Sequence, residues 1–270
     1  MNEQASRFVG GIPENYDQGL GPYIFLEYAD DLARRASQAK PGHVLELACG
    51  TGILTRKLRD ALSPDALLTA TDLNAPMLGI AKQKFDTGEK VTFKTADAMA
   101  LPFEDADFDL VICQFGVMFF PDKQASYREA GRVLRSGGRY LLNVWGSMAE
   151  NPFSECANDV TKHFFPDDPP GFYKVPFGYA EQSTVMADMK AGGLQNITCE
   201  TITFQKDVAD WALFAHGIVY GNPLIAEIKA RGGVEPEEVE QSVLSSLRER
   251  FGPEPSSMPL LATVYSGEAP

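Results

Sequence analysis

The chain has 270 residues, 44% of them hydrophobic, which suits one large domain with a sizeable core and excludes wholesale disorder. Lys and Arg number 24 against 37 Asp and Glu, which gives a formal net charge of −13 at pH 7. Such a negative field repels phosphate backbones, so we expect no nucleic-acid partner.

Nothing in the sequence predicts a membrane span, a secretory leader or a metal centre. The first eight residues, MNEQASRF, lack the basic and apolar regions of a signal peptide, and the longest apolar stretch, 110–120, is too short to cross a bilayer. The four cysteines, at 49, 113, 156 and 199, have no CxxC spacing. We therefore expect a cytoplasmic protein with no membrane partner, no disulfide framework and no metal.

The first half of the chain alternates predicted helices and strands. Apolar residues at four-residue steps predict a helix over 24–36, and Pro41-Gly42 ends it. In chain order there follow a strand at 43–48, a helix at 54–62, a strand at 67–71 ending at Asp72, a helix with Asn74 as N-cap, strands at 91–94 and 108–113, a helix at 123–135 stopped by Gly137-Gly138, and a strand at 140–145. This alternation predicts an α/β fold, a mostly parallel sheet with helices on both faces.

The pattern changes after Trp145. Residues 146–180 mix prolines with aromatic residues and are predicted to be too broken for regular structure. The remaining predicted elements are a helix at 181–191, a strand near 197–204, a helical stretch at 207–250 and a final strand at 260–265.

A glycine turn in the first half indicates a ligand site. The strand at 44–48 runs directly into Gly50-Thr51-Gly52, where the backbone can turn tightly and approach a ligand, and a helix N-terminus follows. Thr55 stands where a dinucleotide fingerprint needs Gly or Ala, and no Gly-Lys-Ser/Thr follows Gly52. The pattern therefore disfavours both a dinucleotide site and a Walker loop.

Three acids at successive strand ends select the ligand. Glu46, inside an apolar strand, would repel a diphosphate and hold a cationic amino-acid head group. Asp72 can accept both hydrogen bonds of a ribose diol, and Asp97 is placed to accept from an adenine amine. Together they suit adenosine joined to an aminium group. The alternative is that Glu46 and Asp72 are ordinary strand-end acids, each capping the next loop.

The stretch 44–52 resembles motif I of the class I S-adenosylmethionine-dependent methyltransferases, and Asp72 falls where that family's ribose-binding acid falls. The similarity extends over about residues 40–146 and is strongest to the small-molecule branch, including the ubiquinone/menaquinone-biosynthesis type. Ala48 departs from the family, many of whose members have glycine there. The other matching segments are 95–103, 108–113 and 128–138.

The resemblance implies a site for S-adenosyl-L-methionine, with S-adenosyl-L-homocysteine as product and no metal. Glu46 and the 48–52 backbone would hold the methionine part, the Gln114 carbonyl would face the sulfonium, and Tyr16 belongs to an element that closes over the cofactor. The implied cofactor-binding residues are Tyr16, Glu46, Ala48, Cys49, Gly50, Gly52, Asp72, Leu73, Met77, Asp97, Ala98, Gln114 and Phe115.

The family also implies a seven-stranded Rossmann-like sheet in one domain. We expect N-terminal cap helices in 1–40, a cofactor-binding core in 41–146, a substrate lid in 147–180 and 207–257, and strands completing the sheet in 181–206 and 258–270.

Methyl transfer from a sulfonium is a direct in-line displacement, so a dedicated catalytic residue is not required. His163 and His216 are candidates for a base, and the alternative for each is a surface or packing role. The aromatic residues of 146–180 and 207–220 favour an apolar or aromatic acceptor. We therefore predict O- or C-methylation of a small metabolite. The candidate acceptor-binding residues are Phe119, Trp145, His216 and Tyr220.

Two other functions stay open. One is a catalytically silent S-adenosylmethionine-binding sensor or partner protein, which release of S-adenosylhomocysteine would separate from an enzyme. The other is an NAD-dependent oxidoreductase, which Thr55 and Glu46 disfavour. The sequence does not fix the oligomeric state, and a homodimer stays open beside a monomer.

Overall fold

The computed structural model describes residues 6–270. Residues 1–5, which are part of the predicted cap and of the segment that argued against a leader, lie outside the described residues. The strands are β1 His43–Glu46, β2 Leu67–Asp72, β3 Val91–Thr95, β4 Phe108–Gln114, β5 Leu134–Trp145, β6 Gln195–Val208 and β7 Ser256–Glu268. The helices are α1 Ile12–Gly19, α2 Leu26–Gln38, α3 Ile53–Ala61, α4 Ala75–Lys82, α5 Lys123–Val133, α6 Pro152–Phe164, α7 Gln182–Ala191, α8 Trp211–Tyr220, α9 Leu224–Arg231 and α10 Pro236–Phe251.

All seven strands form one sheet in the order β3-β2-β1-β4-β5-β7-β6. The first five strands pair in parallel, and β7 runs antiparallel between β5 and β6. The predicted mostly parallel, seven-stranded α/β fold is confirmed. The strand order reverses between β1 and β4, and ligands of open α/β sheets bind outside the carboxyl ends of the strands at such a point.

The sheet is buried on both faces, as the strand period of two requires. Val44 packs with Leu58 and Leu110 in the core on one face of the sheet. Its neighbour Leu45 packs with Val111 in the larger core on the other face. Since both faces are covered, the strands read as continuous apolar runs.

Two boundaries in the first half differ from the predictions. A π-helix at Gly21–Phe25 precedes α2, which therefore begins at Leu26. The pair Gly137-Gly138 lies inside β5, because the ladder with β4 shifts register there and Gly137 takes a φ of 74°. The glycines thus form an irregularity within the strand, where they were expected to end a helix before it.

The second half is more regular than predicted. Residues 152–164 form α6, because Pro152 occupies the first turn, where a missing N–H costs nothing, and the other prolines come after the helix. The stretch 207–250 is not one helical segment: β6 continues to Val208, and three separate helices follow. No helix of residues 6–270 is long and apolar enough to cross a membrane.

Candidate cofactor and acceptor site

A cavity of about 580 Å³ opens at the carboxyl ends of β1, β2 and β4, and its size is typical of small-molecule sites. It is where the glycine turn and the strand-end acids were predicted to meet. The predicted cofactor residues on its wall are Tyr16, Ala48, Gly50, Asp72, Leu73, Met77, Asp97, Ala98, Gln114 and Phe115.

Asp72 both closes the glycine turn and faces the cavity. One carboxylate oxygen accepts the Gly50 N–H at 2.9 Å, and the other accepts the Asn74 N–H at 2.8 Å. Burial raises the pKa of Asp72, and these N–H groups oppose the rise. Each oxygen has a second lone pair, so the carboxylate keeps the capacity to accept a diol. The capping role and the ligand role are therefore compatible.

Gly50 leaves room for a ligand where a side chain would stand. Its φ is 57°, and a Cβ added there would come no closer to the protein than 3.6 Å, from the Met77 methyl group. Ala48 also has a positive φ, 51°, a conformation that costs a non-glycine residue about 1–2 kcal/mol. Its Cβ fits because the facing residue is Gly116, where a second Cβ would approach it to 2.5 Å.

Glu46, Cys49 and Gly52 do not line the cavity. A Cβ on Gly52 would lie 2.8 Å from the Cβ of Ala81, so this glycine allows α3 to pack against α4. Burial raises the pKa of the Cys49 thiol well above its usual value.

Glu46 lies under the turn, 1% exposed, and its Oε2 has no hydrogen-bond partner within residues 6–270. Burial raises the pKa of Glu46 to about 8, with Asp72 adding to the rise and Thr55 opposing it. An orphaned acid of this kind accommodates the cationic head group for which it was predicted.

The N-terminal segment covers the adenosine side of the cavity. The Asn74 amide donates to the Ser6 carbonyl at 3.0 Å, and the Phe8 N–H donates to the Asn74 oxygen at 3.3 Å. Lys84 pairs with Asp17 and ties α1 to the end of α4. Tyr16 lies between these two attachments on the cavity wall, as predicted for the element that closes over the cofactor.

A second, smaller cavity of about 60 Å³ shares a wall of four aromatic rings with the first. We call these rings the aromatic wall; they are Phe8, Tyr16, Phe115 and Phe119. Behind the wall, Trp145 stacks on Phe115 with ring centroids 3.9 Å apart and planes 6° apart. Trp145 and Phe119 thus lie where an acceptor would meet the cofactor. The other residues of the smaller cavity are Leu20, Ile24, Phe25, Met118, Phe153, Phe172, Tyr173, Pro176, Phe177 and Asn222.

The structure does not bring the predicted histidines to either cavity. His216 lies on the outer side of α8, stacked on Tyr220 at 4.5 Å and 3.2 Å from a Glu240 oxygen. His163 is exposed in the last turn of α6. Helical spacing predicted that His216 and Tyr220 share a face, but that face packs on α10 and turns away from the cavity. The proposed base and the acceptor role of Tyr220 were therefore wrong.

His216→Ala was expected from the sequence to lower turnover more than cofactor affinity. With the side chain outside both cavities, we now expect turnover and cofactor affinity to stay within about twofold of wild type. Removing an exposed pair with Glu240 should cost less than about 1 kcal/mol of unfolding free energy. Initial rates and a denaturant titration test this, and a tenfold loss of turnover would return His216 to the reaction.

Sequence reasoning missed several residues of the site. Phe8 and Phe25 precede the recognised core, and Asn143 lies inside a strand that reads as apolar. Asn143 is fully buried, and its side-chain oxygen accepts the Phe115 N–H at 3.0 Å. The available signal was a polar residue inside an apolar strand, the same signal that singled out Glu46.

The sheet order, the glycine turn and the cavity define the class. Residues 44–138 match the family described as "Methyltransferase domain". The chain carries a class I S-adenosylmethionine-dependent methyltransferase domain. This agrees with the family resemblance of the motifs.

Among curated relatives, the chain is 39% identical over 120 residues to the ubiquinone/menaquinone biosynthesis C-methyltransferase UbiE of Hahella chejuensis, covering 43% of this chain and 48% of that protein. It is 35% identical over 140 residues to the demethylmenaquinone methyltransferase of Staphylococcus aureus, covering 50% and 58%. The chain therefore spans about half the length of the curated relatives it matches.

Solved structures agree on the fold over most of the chain. The YcgJ protein of Bacillus subtilis has a TM-score of 0.58 at 19% identity, covering 90% of this chain and 98% of that one. Phosphoethanolamine N-methyltransferase 2 of Haemonchus contortus, in complex with S-adenosyl-L-methionine, has a TM-score of 0.60 at 15% identity, covering 96% and 56%. At these identities the likeness shows the fold alone.

Proposed function

We propose that the protein transfers the methyl group of S-adenosyl-L-methionine to a carbon or oxygen atom of a small, planar, largely apolar acceptor. The observation that carries the proposal is the aromatic wall, since one set of rings faces both the acid-lined cavity and the aromatic cavity. The names of the relatives, a C-methyltransferase of quinone biosynthesis among them, favour carbon as the acceptor atom.

The cavity suits the cofactor in three respects. Asp72 keeps lone pairs for the ribose diol, Gly50 leaves space where a Cβ would stand, and Glu46 supplies an unpartnered carboxyl beneath the turn. When bound, S-adenosylmethionine supplies a methyl group already activated by its sulfonium. The chain's own residues then bind, align and exclude water, which accounts for much of the rate in such a transfer.

Acceptor binding at the aromatic wall depends on ring faces. The stack of Phe115 on Trp145 places a flat apolar surface beside the cofactor cavity, and such a surface suits a planar acceptor. Burial raises the pKa of the Tyr16 hydroxyl well above its usual value, so this group stays protonated and does not serve as a base at neutral pH. We infer that alignment, rather than proton transfer by a side chain, is the main contribution of the protein.

The test is a titration followed by an acceptor screen. Calorimetry should give micromolar binding of S-adenosylmethionine and S-adenosylhomocysteine and no binding of NAD. Phenols, hydroquinones and their apolar analogues are then supplied, and release of S-adenosylhomocysteine is measured, with the methylated atom assigned by NMR. Cofactor binding without release for any acceptor would favour the silent sensor or partner protein. Turnover of highly polar acceptors alone would contradict the proposed acceptor class.

Asp72→Ala should weaken S-adenosylhomocysteine binding by about 1.5–3 kcal/mol, because a charge-assisted acceptor for the ribose is lost. The matched control is Asp65→Ala, which removes an acid that is 95% exposed in the loop before β2. Calorimetry on both variants gives the comparison, with melting temperatures to detect loosening of the turn. Unchanged affinity in Asp72→Ala would show that the ribose binds elsewhere.

The described residues leave assembly open. We propose a cytoplasmic enzyme whose only obligatory partners are its cofactor and a small-molecule acceptor. Sedimentation velocity at micromolar concentration distinguishes a monomer from a homodimer.

A further inference from the structure

Two buried amide groups beside the aromatic wall are left with complementary unpaired atoms. The Gln114 Oε1 and the Asn143 Nδ2 have no hydrogen-bond partner in the described part of the chain. Both atoms belong to residues at the carboxyl ends of neighbouring strands, since Gln114 and Asn143 are register partners on β4 and β5. Leaving a buried donor or acceptor unpaired is costly, so a complementary group is expected.

Backbone contacts fix which end of each amide is free. The Phe115 N–H donates to the Asn143 side chain at 3.0 Å, so the oxygen of that amide is engaged and its NH₂ points elsewhere. The Gln114 NH₂ donates to the Phe25 carbonyl at 3.3 Å, so the oxygen of that amide is free. The pair therefore offers one free acceptor and one free donor.

Location connects the pair to methyl transfer. Gln114 lies on the wall of the cofactor cavity, and Phe115, which Asn143 holds by its N–H, lies on the walls of both cavities. Tyr28 closes the region from the side of α2, with its ring edge-on to Phe115 at 5.2 Å and to Trp145 at 5.3 Å. A ligand group that reaches the pair from the cavity would thus sit beside the flat face of the wall.

We propose that Gln114 and Asn143 form an amide pair that binds a hydroxyl group of the acceptor and so orients its ring against Phe115. A hydroxyl donates to the Gln114 oxygen and accepts from the Asn143 NH₂, whereas an ether or a carbonyl satisfies only Asn143. This inference rests on the proposed function and narrows it to acceptors that carry a hydroxyl on an aromatic or planar ring.

The test uses two probes that differ only in hydrogen-bond donation, 1-naphthol and 1-methoxynaphthalene. Each is titrated by calorimetry into protein saturated with S-adenosylhomocysteine, so that changes in cofactor affinity do not enter. Wild type should bind 1-naphthol about fivefold tighter or more, the factor expected for one net hydrogen bond.

Three variants divide the contributions. Gln114→Met should weaken 1-naphthol alone by about fivefold and remove the preference, while Asn143→Leu should weaken both probes. Gln124→Met is the matched control, since Gln124 is an exposed glutamine on α5 bonded to Asp188, and it should keep the wild-type preference. Gln114→Met carries the test by itself if Asn143→Leu does not fold.

Equal binding of the two probes by wild type, or a preference that survives in Gln114→Met, would overturn the inference. So would failure of both probes to bind the protein–S-adenosylhomocysteine complex. Failure of S-adenosylhomocysteine itself to bind would overturn the proposed function as well, and the first titration detects this separately.

Discussion

Glu46→Gln should stabilise the fold at pH 8 relative to pH 5. Burial raises the pKa of Glu46 to about 8 in the folded chain, against a usual value near 4.5. Between these two values the folded state holds a proton that the unfolded state has released, so the stability of wild type falls as pH rises through this window. Gln does not titrate, and its variant lacks this loss.

Denaturant unfolding of both proteins at pH 5 and pH 8 gives the size of the effect. The unfolding free energy of Glu46→Gln relative to wild type should rise by about 3 kcal/mol over this interval, from the linkage of one proton. The comparison cancels every other titrating group and any constant offset from the amide. Parallel pH dependence of the two proteins would show that the carboxyl is already ionised in the fold.

The same substitution should weaken cofactor binding, and the loss should grow with pH. The carboxylate form is the one that attracts an aminium group, and its population rises as pH approaches 8. The ratio of wild-type to variant affinity for S-adenosylhomocysteine should therefore rise by up to about tenfold per pH unit between pH 6 and pH 8. A ratio that stays flat would remove Glu46 from the cofactor site.

The sequence was most informative where one local segment carries the signal. The turn after β1 needs Gly50 and Gly52 within three residues, and Asp72 ends the next parallel strand, so their convergence follows from the topology of the sheet. The aromatic wall could not be predicted in this way. It assembles rings from residue 8 to residue 119, and no local period records which face of the first helix meets the ends of β4 and β5.

Helical spacing was the misleading signal in the second half. The spacing of Trp211, His216 and Tyr220 is compatible with one helix, but it does not show which face contacts the cavity. Trp211 and Phe214 are fully buried in the core, and His216 stays partly exposed against α10. A periodic stripe thus predicts the helix and leaves the orientation of the helix to tertiary packing.

The two glycines of the turn should fail in different ways when replaced by alanine. Both have a positive φ, 57° at Gly50 and 81° at Gly52, so each alanine pays about 1–2 kcal/mol of backbone strain. Only at Gly52 would the added Cβ also meet protein, the Cβ and Cα of Ala81 at 2.8 and 3.0 Å. Gly52→Ala should therefore lose roughly 2–4 kcal/mol of unfolding free energy, strain and overpacking together.

At Gly50 the added Cβ would meet ligand instead. Gly50→Ala should lose only about 1–2 kcal/mol of stability, the cost of strain, while S-adenosylhomocysteine affinity falls by an order of magnitude or more. Gly50→Val, with a branched side chain in the same space, should abolish binding. Calorimetry and denaturant unfolding on all three variants give the comparison. Retained binding in a folded Gly50→Val protein would mean that the ligand does not approach this turn. Equal loss of stability in the two alanine variants would contradict the different surroundings of Gly50 and Gly52.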